Sequence, residues 1–149
     1  MSVTNLPVSR GNTQDEHEIP QQRQRWQPCR AGIFNVWRYY DETFTFHEGC
    51  LLLRGQNGTG KSKALELLLP FLFDASLRPN RLSTFGGSER TMHWNLMGEG
   101  TSGKTRVGYV WMEFGRSSES GEEEWFSCGA RLQASVHTTA VHADYFTTT

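Results

Sequence analysis

The sequence GQNGTGKS, from Gly55 to Ser62, most constrains the fold, because it fits the phosphate-loop pattern G-x-x-x-x-G-K-[ST]. Such a loop needs a buried strand before it and a helix after it, whose first-turn N–H groups point at the phosphates. The apolar run CLLLR precedes the loop and predicts the strand, and KALELLLPFLFDAS follows and predicts a helix buried all round. Pro70 is expected to kink or end this helix.

A second stretch, GEGTSGKT from Gly98 to Thr105, fits the same pattern in an unsuitable context. MHWNLM before it does not resemble a buried strand, and a short helix is expected at Glu89–Leu96. RVGYVWMEF after it is β-branched and aromatic and predicts a strand, which offers no cluster of free N–H groups to an anion. The sequence therefore predicts a hairpin turn at the second match and a functional phosphate loop at the first.

The residue types of the first loop predict a role for each position. The backbone N–H groups should surround the α and β phosphates, and the Lys61 ammonium should contact the β and γ oxygens. The Ser62 hydroxyl should bind a Mg²⁺ ion that bridges those phosphates, and no catalytic residue is assigned. The predicted nucleotide-binding residues are Gly55, Gln56, Asn57, Gly58, Thr59, Gly60, Lys61 and Ser62.

The remaining sequence predicts short strands joined by polar turns. AGIFNVWRYY and TFTFH have strand character, and RVGYVWMEF and EWFSCGARLQAS predict an antiparallel hairpin connected by SSESGEEE. Residues 1–25 are polar, carry both charge signs and are predicted to be a flexible tail. The last residues, VHTTAVHADYFTTT, contain β-formers and no sign of closing a domain, so 26–149 is expected to be a truncated domain.

The composition limits the partners and the compartment. A formal net charge of −1 gives no overall basic field for nucleic-acid binding. Three cysteines without C-x-x-C spacing predict reduced thiols in the cytoplasm. No segment approaches the roughly 20 apolar residues of a membrane span, and the N-terminus lacks the apolar centre of a signal peptide, so no membrane partner is expected.

Two motifs that ATP hydrolysis requires are not evident. A Walker B strand is an apolar run ending in Asp-Glu; VWMEF comes nearest, but Glu113 has no acidic neighbour. The stretch STFGGSE, from Ser83 to Glu89, looks like the signature of ABC ATPases, but it lies too close to the phosphate loop. We interpret it as a loop ordered by Gly and Ser. The sequence thus supports nucleotide binding, and not complete hydrolysis.

With these motifs established, the chain from 25 to 134 resembles the N-terminal end of the large SMC-like ATPases of bacterial Wadjet anti-plasmid systems, which are condensin/MukB-type relatives. The similarity lies in RWQPCRAGIFNVWRYYDETFTFHEGCLLLRGQNGTGKSKALELLLPFLFD, in RPNRLSTFGGSERTMHWNLMGE and in GYVWMEF. It implies an α/β fold, the N-terminal lobe of an ABC/SMC-type P-loop NTPase head with a mixed sheet and a P-loop helix, as an incomplete domain. It also implies ATP with Mg²⁺ as the ligand.

The resemblance further implies partners. In that family a C-terminal head lobe carries the signature and Walker B motifs, a second head completes a dimer around two ATP molecules, and only the complete complex acts on DNA. The expected function is ATP binding by the Walker A lobe of an SMC-like ATPase in DNA loop extrusion and plasmid defence. ATP hydrolysis is expected only after completion by the C-terminal lobe.

Two alternatives stay open. One is a stand-alone interaction or regulatory protein that binds nucleotide without turnover. The other, a small P-loop kinase or GTPase, is disfavoured because a GTPase needs an N-K-x-D motif to read guanine, and the sequence has none.

Overall fold

The computed structural model describes residues 25–78, 91–98 and 105–149, which form a five-stranded sheet and two helices. The strands are β1 (Gln27–Val36), β2 (Tyr39–Thr45), β3 (Thr105–Ser117), β4 (Glu123–Ser135) and β5 (Val141–Thr148). The helices are α1 (Lys61–Leu72) and α2 (Met92–Met97). The strands lie in the order β2-β1-β3-β4-β5, and all four neighbouring pairs are antiparallel.

The core lies between one face of this sheet and the two helices. Ile33 of β1 is opposite Val110 of β3, which is opposite Ala130 of β4, and all three side chains are buried. Leu67 of α1 and Leu96 of α2 pack into the same cluster. Since burying a large aliphatic side chain contributes roughly 1.5–3 kcal/mol, this cluster holds the helices on the sheet.

The opposite face of the sheet carries aromatic side chains and ion pairs. The rings of Phe34 and Tyr109 have centroids 6.2 Å apart. The Arg30 guanidinium forms two hydrogen bonds with Glu113, each 2.8 Å long, and these hold the pKa of Glu113 below its usual range. Residues on this face alternate along β1 and β3 with the buried residues that face the helices.

The predicted α/β fold class, a P-loop NTPase head lobe with a mixed sheet, is wrong. Every pair of neighbouring strands in the described residues is antiparallel, so the sheet is not the central parallel sheet of a P-loop α/β fold. The predicted buried strand CLLLR does not pair with the sheet. Cys50 forms an isolated bridge to His47, and the side chain of Leu52 is 88% exposed.

A turn that the sequence analysis did not predict explains this difference. AGIFNVWRYY is not one strand, because the chain reverses at Trp37 and Arg38 and Val36 pairs with Tyr39. As a result β2 occupies the position beside β1, and β3 occupies the other side. Both sides of β1 are then filled, and the segment after β2 lies outside the sheet.

The helix after the loop is confirmed, but its predicted burial on all sides is wrong. It runs from Lys61 to Leu72 and ends two residues beyond Pro70. Leu67 and Leu68 face the core, whereas Leu65, Leu69 and Leu72 are exposed, because α1 lies along one face of the sheet and no other described element covers its outer side.

The predicted hairpin is confirmed as β3 and β4, and the short helix is confirmed as α2 with later bounds. Most of the predicted tail, the signature-like stretch at 83–89 and the second loop from 99 to 104 lie outside the described residues. None of the helices in the described ranges has the length and apolar character needed to cross a membrane.

Two leucines of α1 provide a matched test of its orientation. Leu67 is 0% exposed and Leu65 is 46% exposed. We expect Leu67→Ala to lower the free energy of unfolding by about 2–5 kcal/mol, because it leaves a cavity in the core. Leu65→Ala should change it by about 0.5 kcal/mol or less, as at other surface positions. Urea unfolding followed by circular dichroism measures both values, and equal losses would contradict the orientation of α1.

Candidate functional site

A cavity of about 370 Å³ opens at the start of α1. Five of the eight predicted nucleotide-binding residues line it: Asn57, Gly58, Gly60, Lys61 and Ser62. The other walls are formed by Trp37 from the β1–β2 turn, Trp94 from α2, and Lys63 and Glu66 from α1. Gly55, Gln56 and Thr59 do not line the cavity but contact the Lys61 side chain. The structure therefore brings all eight predicted residues into one loop around the helix start.

Two glycines of the loop adopt left-handed backbone conformations, with φ of 83° at Gly58 and 98° at Gly60. A Cβ atom on Gly58 would meet no atom within 4 Å, so the backbone there borders open space. A Cβ atom on Gly60 would lie 2.7 Å from Tyr39 Oη and 2.9 Å from the Trp37 ring. Glycine at 60 is therefore required both by the backbone angle and by this close approach.

The start of α1 is suited to an anion. Gly60 occupies the N-cap position, and no side chain caps the helix. The first N–H groups of a helix have no intrahelical partner, and the helix dipole places partial positive charge at this end. Ala64 N donates to Gly60 O at 2.9 Å, so the regular helical hydrogen bonds begin at this point. The first-turn N–H groups ahead of it can donate to a phosphate.

The Lys61 ammonium group lies across the loop. Its Nζ atom donates to Gly55 O at 2.7 Å and to Gln56 O at 2.6 Å, and Thr59 Oγ1 is 3.4 Å away. An ammonium group has three N–H donors, and the two carbonyl contacts use two of them at short distance. The third makes only a long contact and can turn towards a phosphate oxygen. The positive charge is thus held beside the start of α1.

Tyr39 of β2 anchors the loop where it enters α1. Its Oη atom donates a hydrogen bond to Gly60 O at 2.8 Å. Its ring is tilted against Trp37 and meets Phe44 edge-on. Burial raises the pKa of Tyr39, which keeps the phenol neutral and able to donate. The helix end of the loop is therefore fixed by β2.

The two tryptophan walls were missed by the sequence analysis. Trp37 has φ of 54°, an unusual value for a bulky residue that costs roughly 1–2 kcal/mol, and its N–H donates to Asn95 O. Trp94 belongs to the first turn of α2, where Thr91 Oγ1 accepts a hydrogen bond from its N–H at 3.0 Å. The sequence VWRY contains none of the Asn-Gly or Gly-rich pairs that mark short hairpins, so it held no signal for the turn.

The carboxylate that lines the cavity forms an ion pair. Glu66 is the carboxylate among the described lining residues, and its Oε2 atom is 2.8 Å from Lys63 Nζ. Lys63 Nζ also lies 5.9 Å from the centroid of the Trp94 ring. Glu113, the nearest match to a Walker B carboxylate, binds Arg30 on the far face of the sheet. Within the described residues, the cavity lining contains two lysine side chains and one carboxylate, which is paired with Lys63.

Comparison of the sequence with protein-family models found no match, and comparison with curated proteins found none either.

Gly58 and Gly60, which both have positive φ, provide a matched test of the close packing of Tyr39 and Trp37 against Gly60. Gly58→Ala should cost about 1–2 kcal/mol, because alanine is strained at positive φ but has room. Gly60→Ala should cost about 1–3 kcal/mol more, because its methyl group would also overlap Tyr39 and Trp37. Urea unfolding of both variants measures the difference. A larger loss for Gly58→Ala would show that the ring packing against Gly60 is incorrect.

The phenol of Tyr39 predicts a dependence of stability on pH. The pKa of this phenol is raised in the folded chain. Its contribution to the free energy of unfolding is therefore fully present below the ordinary tyrosine pKa of about 10, and it is lost as the pH rises through the folded-state pKa. Tyr39→Phe should cost about 0.5–1.5 kcal/mol at neutral pH. The same variant should lose less stability than the wild type above about pH 10.

The control for this test is Tyr40→Phe, since Tyr40 is 80% exposed. Its unfolding free energy should follow the wild type at neutral and alkaline pH. Urea unfolding at about pH 7 and about pH 10.5 compares the three proteins on either side of the tyrosine pKa. Parallel curves for wild type and Tyr39→Phe would show that the Tyr39 hydroxyl does not anchor Gly60.

Proposed function

We propose that this chain binds the triphosphate of ATP, together with Mg²⁺, through residues 55–62. The observation that carries the proposal is the uncapped start of α1, where Lys61 and Ser62 line the cavity. Free N–H groups, the helix dipole and an ammonium group converge there, and all three favour an anion. The proposal depends on the loop and its helix, and not on the α/β fold class that the antiparallel sheet excludes.

Each part of a Mg²⁺–ATP complex has a matching group in the cavity. The N–H groups from Asn57 to Ser62 would donate to the phosphates, and Lys61 would turn its third N–H towards them. The Ser62 hydroxyl would bind Mg²⁺, which keeps several waters and takes its other ligands from phosphate. Trp37 packs beside Gly60 and, with Trp94, offers ring surface for the base. The choice of ATP over GTP rests on the resemblance, because the loop contacts phosphates alone.

We further propose that this chain binds ATP without hydrolysing it alone. The support is the pairing of Glu66 with Lys63 and of Glu113 with Arg30. In keeping with the resemblance to SMC-like ATPases, a C-terminal head lobe or a second head would supply the missing carboxylate. DNA would be acted on by the complete complex, in loop extrusion and plasmid defence. A cytoplasmic location is part of the proposal, supported by the three free thiols.

A stand-alone nucleotide-binding interaction or regulatory protein would share the same loop. The exposed side of α1 favours the lobe over this alternative. Leu65, Leu69 and Leu72 form an apolar strip there, which a partner lobe would cover. The two differ in whether ATP turnover appears when a second polypeptide is added.

Replacing the loop lysine tests the proposal directly. Lys61→Ala should weaken Mg²⁺–ATP binding by about a hundredfold, because it removes a charged hydrogen-bond donor to the phosphates. Lys104→Ala, in the second match to the pattern, should bind as the wild type does. Isothermal titration calorimetry measures both dissociation constants. The reverse result would assign the nucleotide to the second match.

A further variant separates the metal from the phosphates. Ser62→Ala should leave ATP affinity in a chelator unchanged, while the gain in affinity on adding Mg²⁺ should be lost. An undiminished gain would show that the hydroxyl is not a Mg²⁺ ligand.

A further inference from the structure

We infer that Arg106 is a positioning residue of the nucleotide site, which fixes the two tryptophan walls and so governs binding of the base rather than of the phosphates. The inference rests on the proposed nucleotide binding. Arg106 belongs to β3 and does not line the cavity, so its effect would be transmitted through the residues it holds.

The guanidinium group of Arg106 joins three separate segments. Its Nε and Nη2 atoms donate to Asn35 Oδ1 at 3.0 and 2.8 Å, at the end of β1. Its Nη1 atom donates to Leu96 O at 2.9 Å, one of the last carbonyls of α2. Its Nη2 atom also lies 3.4 Å from Trp37 O, in the β1–β2 turn. Arg106 therefore bridges the turn that carries one tryptophan and the helix that carries the other.

The Trp37 backbone needs such support. Trp37 and Asn35 both have left-handed φ angles, of 54° and 53°, and such conformations persist only where surrounding contacts determine them. The Trp37 N–H is bound to Asn95 O on α2, and its carbonyl faces Arg106. Asn35 is held in turn by its Nδ2 atom, which donates to Val107 O at 2.6 Å. The position of the Trp37 ring thus depends on a network that Arg106 completes.

The geometry of this network requires a guanidinium group. The acceptors that receive its hydrogen bonds are an amide oxygen and backbone carbonyls, all of them neutral. The planar guanidinium group donates to Asn35 and to Leu96 at the same time, through N–H groups that point in different directions. A single ammonium group does not do this. Lysine at 106 would keep the charge and lose the bridge.

The phosphate loop is held by different contacts. Tyr39 binds Gly60 O, and Lys61 binds the carbonyls of Gly55 and Gln56. None of these contacts involves Arg106. Trp37 also packs beside Gly60 and Tyr39. Because the hydrogen bonds that hold the loop are made without Arg106, loss of the guanidinium should displace the tryptophan walls more than the phosphate-binding backbone.

The test compares two ligands that share the phosphates and differ in the base. Dissociation constants for Mg²⁺–ATP and for Mg²⁺–tripolyphosphate are measured for wild type, Arg106→Lys and Arg106→Gln. Both variants should bind ATP roughly tenfold more weakly, the size expected for the loss of one stacked base, and bind tripolyphosphate within about twofold of wild type. Equal loss for both ligands, or no loss for ATP, would overturn the inference.

Val110→Ala controls for a general loss of stability. Val110 is buried on the same strand and takes no part in the network, so this variant should destabilise the chain without changing the ratio of the two affinities. All proteins are compared at a temperature where each is folded. A changed ratio in Val110→Ala would attribute the effect to stability and overturn the inference.

A measurement without ligand separates this inference from the proposed function. The chain has five tryptophans, and 5-fluorotryptophan labelling gives one fluorine resonance for each, with Trp37 and Trp94 assigned by Phe substitution. Arg106→Gln should shift the resonances of Trp37 and Trp94 and leave that of Trp125 unchanged. Unchanged Trp37 and Trp94 resonances would overturn the positioning role. If wild type binds neither ligand, the proposed function fails while the resonances still decide this role.

Discussion

The pairing of β1 with β3 is the contact on which the rest of the structure depends. It joins the hairpin of β1 and β2 to the three strands that follow later in the chain. The residues that meet across it, Ile33 with Val110 and Ala31 with Met112, form the surface on which the helices pack. Without this pairing α1 would have no apolar surface to cover, and the turn at Trp37 would not meet α2.

The loop at residues 55–62 is held at its helix end, which differs from the arrangement that its sequence suggests. A strand before the loop would fix its beginning, but here the preceding leucines lie outside the sheet. Tyr39 fixes the carbonyl of Gly60, and Lys61 binds back to the first two residues of the loop. Lys61 therefore closes the loop as well as supplying its charge. In the proposed site, binding of phosphate and the shape of the loop are consequently linked through one side chain.

Helices and strands that are marked by a pattern among neighbouring residues could be predicted from the sequence. The hairpin of β3 and β4 follows from alternation of side chains such as Val110 and Met112, and the helix follows from the apolar run after Lys61. The strand expected at CLLLR failed because a continuous apolar run does not specify its partner. Leu53 packs against the core although no ladder forms there, while Leu52 points outwards.

The two tryptophan walls of the cavity could not be predicted, because their positions depend on contacts between residues that are distant in the sequence. The β1–β2 turn has no turn-forming pair, and Trp37 adopts a backbone conformation that its residue type disfavours. Trp94 lines the same cavity as Trp37 because α2 and the turn are joined, in part through Asn95. The position of the loop before α1 could be read from the sequence because its eight residues are contiguous. The tryptophans beside it could not, because tertiary contacts bring them to the cavity.

The bridge through Arg106 joins parts of the chain that are synthesised at different times. Asn35 and Arg106 are 71 positions apart, so the loop at residues 55–62 and α1 are synthesised before β3 exists. Contacts between distant parts of a chain form late, because the intervening loop must close first. On a ribosome, the groups proposed to hold phosphate would therefore emerge ahead of the strand that locks the tryptophans in place. Because α1 packs on the surface that β3 completes, the groups proposed to hold phosphate and the tryptophan walls would both reach their final positions only after β3 has paired with β1.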